Sequence, residues 1–128
     1  MPQITDAKPT SFKRSACPLT NSLEIFGDKW SLLIVRDIYF GKHRYKDFAQ
    51  SPERIPTNIL AERLRKLQFH GIIEKTPYQQ KPVRYSYELT DKGRGLLPVI
   101  REIVVWGQAH FEGTLMMTKA PEVESQDG

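Results

Sequence analysis

An α+β fold, mainly α and confined to one domain, is what the order of periodicities along these 128 residues predicts. Three observations carry that prediction. Between about residues 22 and 70, apolar residues recur at three- and four-residue spacing in four successive stretches. Two β-rich runs follow, IIEKTPY and RYSYEL, joined by the short basic connector QQKPV. One further helical stretch, DKGRGLLPVIREIVVWGQAHF, closes the pattern.

Composition bounds the answer. A hydrophobic content of 39% is enough for one modest core and not for two. No apolar run approaches the ~18 residues of a membrane-spanning helix, and MPQITDAKPTSFKRSA lacks the apolar centre of a secretory signal, so a cytoplasmic protein without membrane contact is expected. Cys17 is the single cysteine, which rules out an internal disulfide. His43, His70 and His110 fall on different elements, so neither a metal nor a cofactor is expected. No nucleophile with a base, no paired carboxylates and no phosphate loop can be found, and an enzyme is not expected either.

Charge is segregated along the chain. From Lys42 to Arg84 ten Lys or Arg face four acids, a net +6, whereas from Glu112 onward one Lys faces four acids, a net −3. A basic middle with an acidic tail is suited to a polyanion, although a solvated lysine-rich surface would read the same way.

Each element has its own signals. Residues 1–16 carry two prolines and no apolar periodicity and are expected to form a flexible arm. The folded domain is expected over 17–112 and a tail over 113–128. Thr20 or Asn21 is placed to cap a short first helix, Ser22 to Phe26, which Gly27 ends. Asp28 offers a carboxylate to the free amides of a second helix, Lys29 to about Phe40, with Trp30, Leu33, Ile34 and Ile38 turned inward. RYKDFAQS reads as a third, short helix pinned by Tyr45, Phe48 and Ala49 and stopped by Pro52. After Thr57, NILAERLRKLQFHG runs for four turns with Leu60, Leu64 and Leu67 in the core. Thr57, Asn58, Ala61, Glu62 and Arg65 therefore share the opposite face, small and polar enough to approach base edges and phosphates. Arg44 and Lys46 precede that helix, and Lys81 and Arg84 sit at the hairpin tip, within reach of backbone phosphates. Thr90 caps the last helix, in which Pro98 predicts a kink or an early break. Its stripe is broader than one small core needs, so Leu97, Ile100, Val104, Trp106 and Phe111 are expected to meet a second copy.

Three helices followed by a two-stranded wing, flanked by dimerisation helices, is the winged helix-turn-helix arrangement. At this point CPLTNSLEIFGDKWSLLIVRDIYFG resembles the opening of HxlR-type bacterial regulators, relatives of the MarR group. IPTNILAERLRKLQFHGIIEK, PVRYSYELTDKGRGLLPVI and VVWG resemble that family's recognition helix, wing and dimer helix. The resemblance implies a homodimeric transcriptional regulator that binds double-stranded DNA at an inverted repeat, with Thr57, Asn58, Glu62 and Arg65 toward the major groove and Lys81 and Arg84 on the wing. Some members sense oxidants or electrophiles through a cysteine just before a proline near the first helix, where Cys17 stands before Pro18. Two readings of Cys17 stay open, a small buried hydrophobe and a reactive thiol near Lys13, Arg14 or a helix N-terminus. A small-molecule effector is the other signal considered, and a winged helix used for protein or RNA contacts is the rival function.

Overall fold

The structure, a computed structural model, describes residues 13–113. Most of the expected arm and tail lies outside the described residues. Residues 13–16, read as arm, bond back to the domain: the amides of Arg14 and Ser15 donate to Asn21 Oδ1 at 2.6 and 2.8 Å, and Asn21 Nδ2 donates to the Ser15 carbonyl.

That use of Asn21 corrects the first helix. Helix α1 spans Pro18–Phe26, and its N-cap is Cys17 rather than Thr20 or Asn21. Proline is at home in a first helical turn, where its missing amide would have had no intrahelical acceptor. Gly27 ends the helix as expected, its amide bonding to the Leu23 carbonyl.

Asp28 does what its position predicts. One carboxylate oxygen accepts the amides of Trp30 and Ser31 at 2.9 and 3.0 Å, and the other accepts the Ser31 hydroxyl at 2.6 Å. Helix α2 consequently starts at Ser31 and runs to Tyr39, two residues later than expected. Its buried residues are Ser31, Ile34, Val35, Asp37 and Ile38, so Ile34 and Ile38 turn inward as expected, Trp30 packs half-buried against the core, and Leu33 is only half-buried. Gly41 closes the helix at φ 101°, a left-handed conformation that a residue with a Cβ adopts only under strain.

Helix α3, Tyr45–Ala49, is a turn and a half long and presents one side chain to the core. That side chain is Phe48; Tyr45 and Ala49, expected to help pin the helix, are exposed. After a turn anchored by buried Ser51 and Ile55, helix α4 covers Thr57–Phe69. Leu60, Leu64 and Leu67 are at most 3% exposed, as the periodicity requires.

Strands β1, Ile73–Gln80, and β2, Val83–Leu89, pair antiparallel from Ile73 opposite Leu89 to Gln80 opposite Val83. The connector is shorter than QQKPV: Gln79, Gln80 and Val83 are in the ladder and only Lys81 and Pro82 turn, through a cis peptide bond. The register shifts between Pro77 and Gln79, where Pro77 has no amide to give the ladder and Tyr78 is left opposite no partner. The segment before α3 borders the same sheet, with Arg44 bridging Ser86 and the Tyr87 amide donating to the His43 carbonyl at 2.7 Å.

Thr90 caps as expected, accepting the Gly93 amide at 3.0 Å, but the helix it caps is short. Helix α5 covers Asp91–Arg94 and helix α6 Leu97–His110. A proline ring collides with the carbonyl four residues back, and four before Pro98 is Arg94, the residue at which α5 stops. Leu97 and Ile100 are buried in the chain's own core, with Leu96 and Val104 packed against it. Leu97 and Ile100, two of the residues expected to meet a second copy, thus lend most of their surface to the chain's own core, while Val104 is half-buried. Val99, Ile103, Val105, Trp106 and Phe111 remain exposed.

Candidate nucleic-acid interface

The outward face of α4 is set by what holds its back. Beyond the three leucines, Arg63 reaches across to Asp28, Nε to Oδ2 at 2.9 Å, so the carboxylate that caps α2 also fixes α4. The turn before α4 is held from below. Arg36 of α2 grips Glu53 with two bonds of 2.9 and 3.1 Å and donates to buried Asp37, while the Ser51 hydroxyl lies 3.1 Å from Asp37 and 3.0 Å from Glu53. Charge-assisted pairs of this kind resist displacement because each carboxylate would otherwise have to be rehydrated. At the near end of α4, the Tyr45 hydroxyl donates to the Thr57 carbonyl at 3.0 Å and ties α3 to the first residue of the longer helix.

On a helix so fixed, Thr57, Asn58, Glu62 and Arg65 are exposed and Ala61 is half-buried. Glu62 is engaged by its neighbour Arg63 at 3.0 Å, which turns its charge along the helix. Arg44, Lys46, Lys81 and Arg84 are all exposed. The structure brings three of these four together: a groove of about 340 Å³ between α3 and the wing is lined by Arg44, Lys46 and Arg84 with Tyr45, Tyr78 and Tyr85 among the aromatic walls. Lys81 does not line it. The Arg44 guanidinium lies 4.0 Å over the Tyr78 ring, and Lys75 lies 4.2 Å over Tyr85. The sequence makes neither Tyr78 nor Lys75 a site candidate, and it places Tyr85 only on an alternating strand face with Tyr87 and Leu89. The alternation of cations with tyrosines in YQQKPVRYSY was the available signal, but the slip at Pro77 that sets Tyr78 beside Arg44 leaves no periodic trace.

Cys17 is exposed in the single chain, so the chain's own core does not bury it. Its thiol pKa is lowered from the usual 9.0 by the nearby Thr20 amide first, then by the Thr20 hydroxyl and the Leu19 amide, donors of the first turn of α1. Arg14, a candidate neighbour, is paired with Glu24 instead. Among the described residues no group of three or more His, Cys, Asp or Glu could hold a metal ion, and no described helix is long and apolar enough to cross a membrane.

A short helix, a tight turn, a longer helix with an outward polar face and a two-stranded wing make this a winged helix-turn-helix of the kind found in transcriptional regulators. The model of HxlR-like helix-turn-helix proteins matches residues 25–114, and the chain belongs to that family of regulators. It is 34% identical over 110 residues to the HTH-type transcriptional regulator YdeP of Bacillus subtilis (strain 168), itself uncharacterized, covering 86% of each chain. Among solved structures it is similar to PA1607, a candidate transcription factor, with a TM-score of 0.74 and 38% identity over 91% of this chain and 81% of that one. The redox regulator HypR in its reduced form superposes with a TM-score of 0.69 and 29% identity over 75% of this chain and 95% of that one.

Proposed function

We propose that two copies of this chain bind an inverted repeat in double-stranded DNA, one α4 entering the major groove at each half-site. The observation that carries this reading is the two-sidedness of α4: Leu60, Leu64 and Leu67 are sealed in the core while Thr57, Asn58 and Arg65 stand in solvent. Asn58 has the paired donor and acceptor that match an adenine edge, and Arg65 suits guanine or a phosphate. None of the five outward positions is aromatic, so the stacking platform of a single-strand RNA reader is missing there. Exposed apolar side chains on α1, Leu19 and Leu23, and on α6, Ile103 and Trp106, supply the surface for the second copy.

The signal is read at Cys17, in the same proposal. Its thiolate attacks one oxygen of a peroxide, the O–O bond breaks, hydroxide leaves and a sulfenic acid remains. The exposed position and the donors that stabilise the thiolate support this, as does the likeness to a redox regulator.

Selection of bound duplexes from a random library tests the DNA reading. The expected result is a two-fold symmetric site with half-sites about one helical turn apart. Asn58→Ala and Arg65→Ala should each lower affinity for the selected duplex by about 1–3 kcal/mol and relax the preference at one base position. Failure to enrich any duplex at low salt would overturn the reading.

A further inference from the structure

We propose that the groove between α3 and the wing seats one sugar–phosphate strand of the duplex, and that Tyr78 is a positioning residue that holds Arg44 for it. This rests on the DNA-binding reading above and assigns a part to a residue outside the basic face of α4.

Charge makes the first half of the case. Arg44, Lys46 and Arg84 converge on the groove, and none of them takes part in a side-chain ion pair among the described residues. Of the nearby acids, Glu88 faces His43 at 3.4 Å, and the Asp47 carboxylate accepts the backbone amide of Arg44 at 3.3 Å without pairing its guanidinium. Three unpaired cations around one concavity repel each other and focus a positive potential into it, which an anion relieves. A phosphodiester strand supplies anions in a row. Its sugars present apolar faces that the tyrosine walls can cover.

Geometry makes the second half. Tyr78 sits where the β1–β2 register slips, and this places its ring under the Arg44 guanidinium at 4.0 Å. A guanidinium stacked on a ring keeps its N–H edge free in the ring plane's direction, ready for two-point contact with a phosphate, and has fewer rotamers to lose when it binds. The groove also lies beside the helix that reads bases, because Tyr45 lines it and bonds the carbonyl of Thr57, the first residue of α4. A strand in the groove is thus next to the major groove that α4 would enter.

The test measures binding of the wild-type full chain and variants to the selected duplex, and to a scrambled one, across a salt series. Arg44→Ala should weaken both complexes about tenfold and flatten the log–log salt slope by about one. Tyr78→Ala removes no charge, yet it should weaken both complexes about two- to fivefold, and Tyr78→Phe should bind like the wild type. The double variant should be no weaker than Arg44→Ala alone, since without the guanidinium the ring has nothing to hold. Thermal melts check that Tyr78→Ala stays folded at the assay temperature, and Arg44→Lys, which keeps the charge without the planar stack, gives the same answer independently by restoring the slope but not the full affinity. The proposal is overturned if wild type binds DNA but Tyr78→Ala matches it, if the two losses simply add, or if Arg44→Ala leaves the slope unchanged. Saturable binding of benzoate to the DNA-free protein, lost in Tyr78→Ala with DNA affinity untouched, would assign the groove to a small ligand instead. A wild type that binds no duplex at all fails the parent reading first, and so separates the two.

Discussion

Single residues fix this molecule at places where a side chain has no alternative. A Cβ built on Gly93 would stand 2.1 Å from the Ile72 carbonyl oxygen, a backbone atom that cannot swing aside. Gly93→Ala should therefore push α5 off the start of β1, cost about 1–3 kcal/mol, and show as a lower midpoint in thermal unfolding. A variant as stable as the wild type would mean that α5 can shift freely. Cys17 is the opposite kind of residue, exposed and of no use to the core. With its pKa below the usual 9.0, its alkylation rate should rise with pH along a curve shifted to the acid side of an ordinary thiol's, and mild peroxide should add one oxygen that Cys17→Ser lacks. An ordinary curve together with an inert thiol removes the sensing proposal. Sequence reasoning found Cys17 and its neighbouring helix N-terminus, but could not choose between burial and exposure. That choice depends on where α1 begins, and α1 begins at Pro18, with Cys17 as its N-cap and Asn21 bonded back to Arg14 and Ser15.

Elements are joined by carboxylates. Asp28 ties α2 to α4 and Glu53 ties the turn before α4 to α2. Burial works against the charge of Asp28, but the Ser31 hydroxyl, the Trp30 amide and Arg63 outweigh it and bring its pKa from 3.8 to about 2. For Glu53, the bonds from Arg36 dominate over burial and lower it from 4.5 to about 2. Both groups therefore bind fewer protons folded than unfolded, and the stability they give is present above those ordinary values and lost as pH falls from about 4.5 toward about 2. His70, kept neutral by burial and by Lys92 and Lys66, has its pKa lowered from 6.5 and begins the same loss below that value. Urea midpoints should accordingly fall in acid, and most steeply below pH 4.5. Asp28→Asn with Glu53→Gln should be less stable at neutral pH but flatter below 4.5, and an equally steep acid limb in that variant would refute the assignment. The helical periods of α4 and the break at Pro98 were legible because each follows from local rules. On α2 the spacing gave Ile34 and Ile38 as inward but not the burial of Val35 and Asp37, which only the neighbouring elements decide.

At the scale of the whole molecule, the exposed apolar side chains are the feature one copy leaves unresolved. Ile103 and Trp106 are 51% and 58% exposed, and Trp106 stacks on His110 and meets Phe111 edge-on. Surface of this kind is costly in water and is the surface a second copy would cover. Ile103→Glu with Trp106→Glu should shift the protein to monomer in sedimentation, leave its thermal midpoint nearly unchanged and weaken binding to the two-fold site. A wild type that sediments as a monomer at micromolar concentration would remove the homodimer from the proposed function.

The sequence alone determined the order of elements, the core leucines of α4, the capping by Asp28 and Thr90, and the family. All of these depend on residues close to one another along the chain, whose spacing is visible in one dimension. Only the tertiary structure decided that Leu97 and Ile100 serve the chain's own core, that Cys17 faces solvent, and that Arg44 rests on Tyr78. Those outcomes turn on contacts between segments far apart in sequence, where burial of one face against another, and not local preference, sets which way a side chain points.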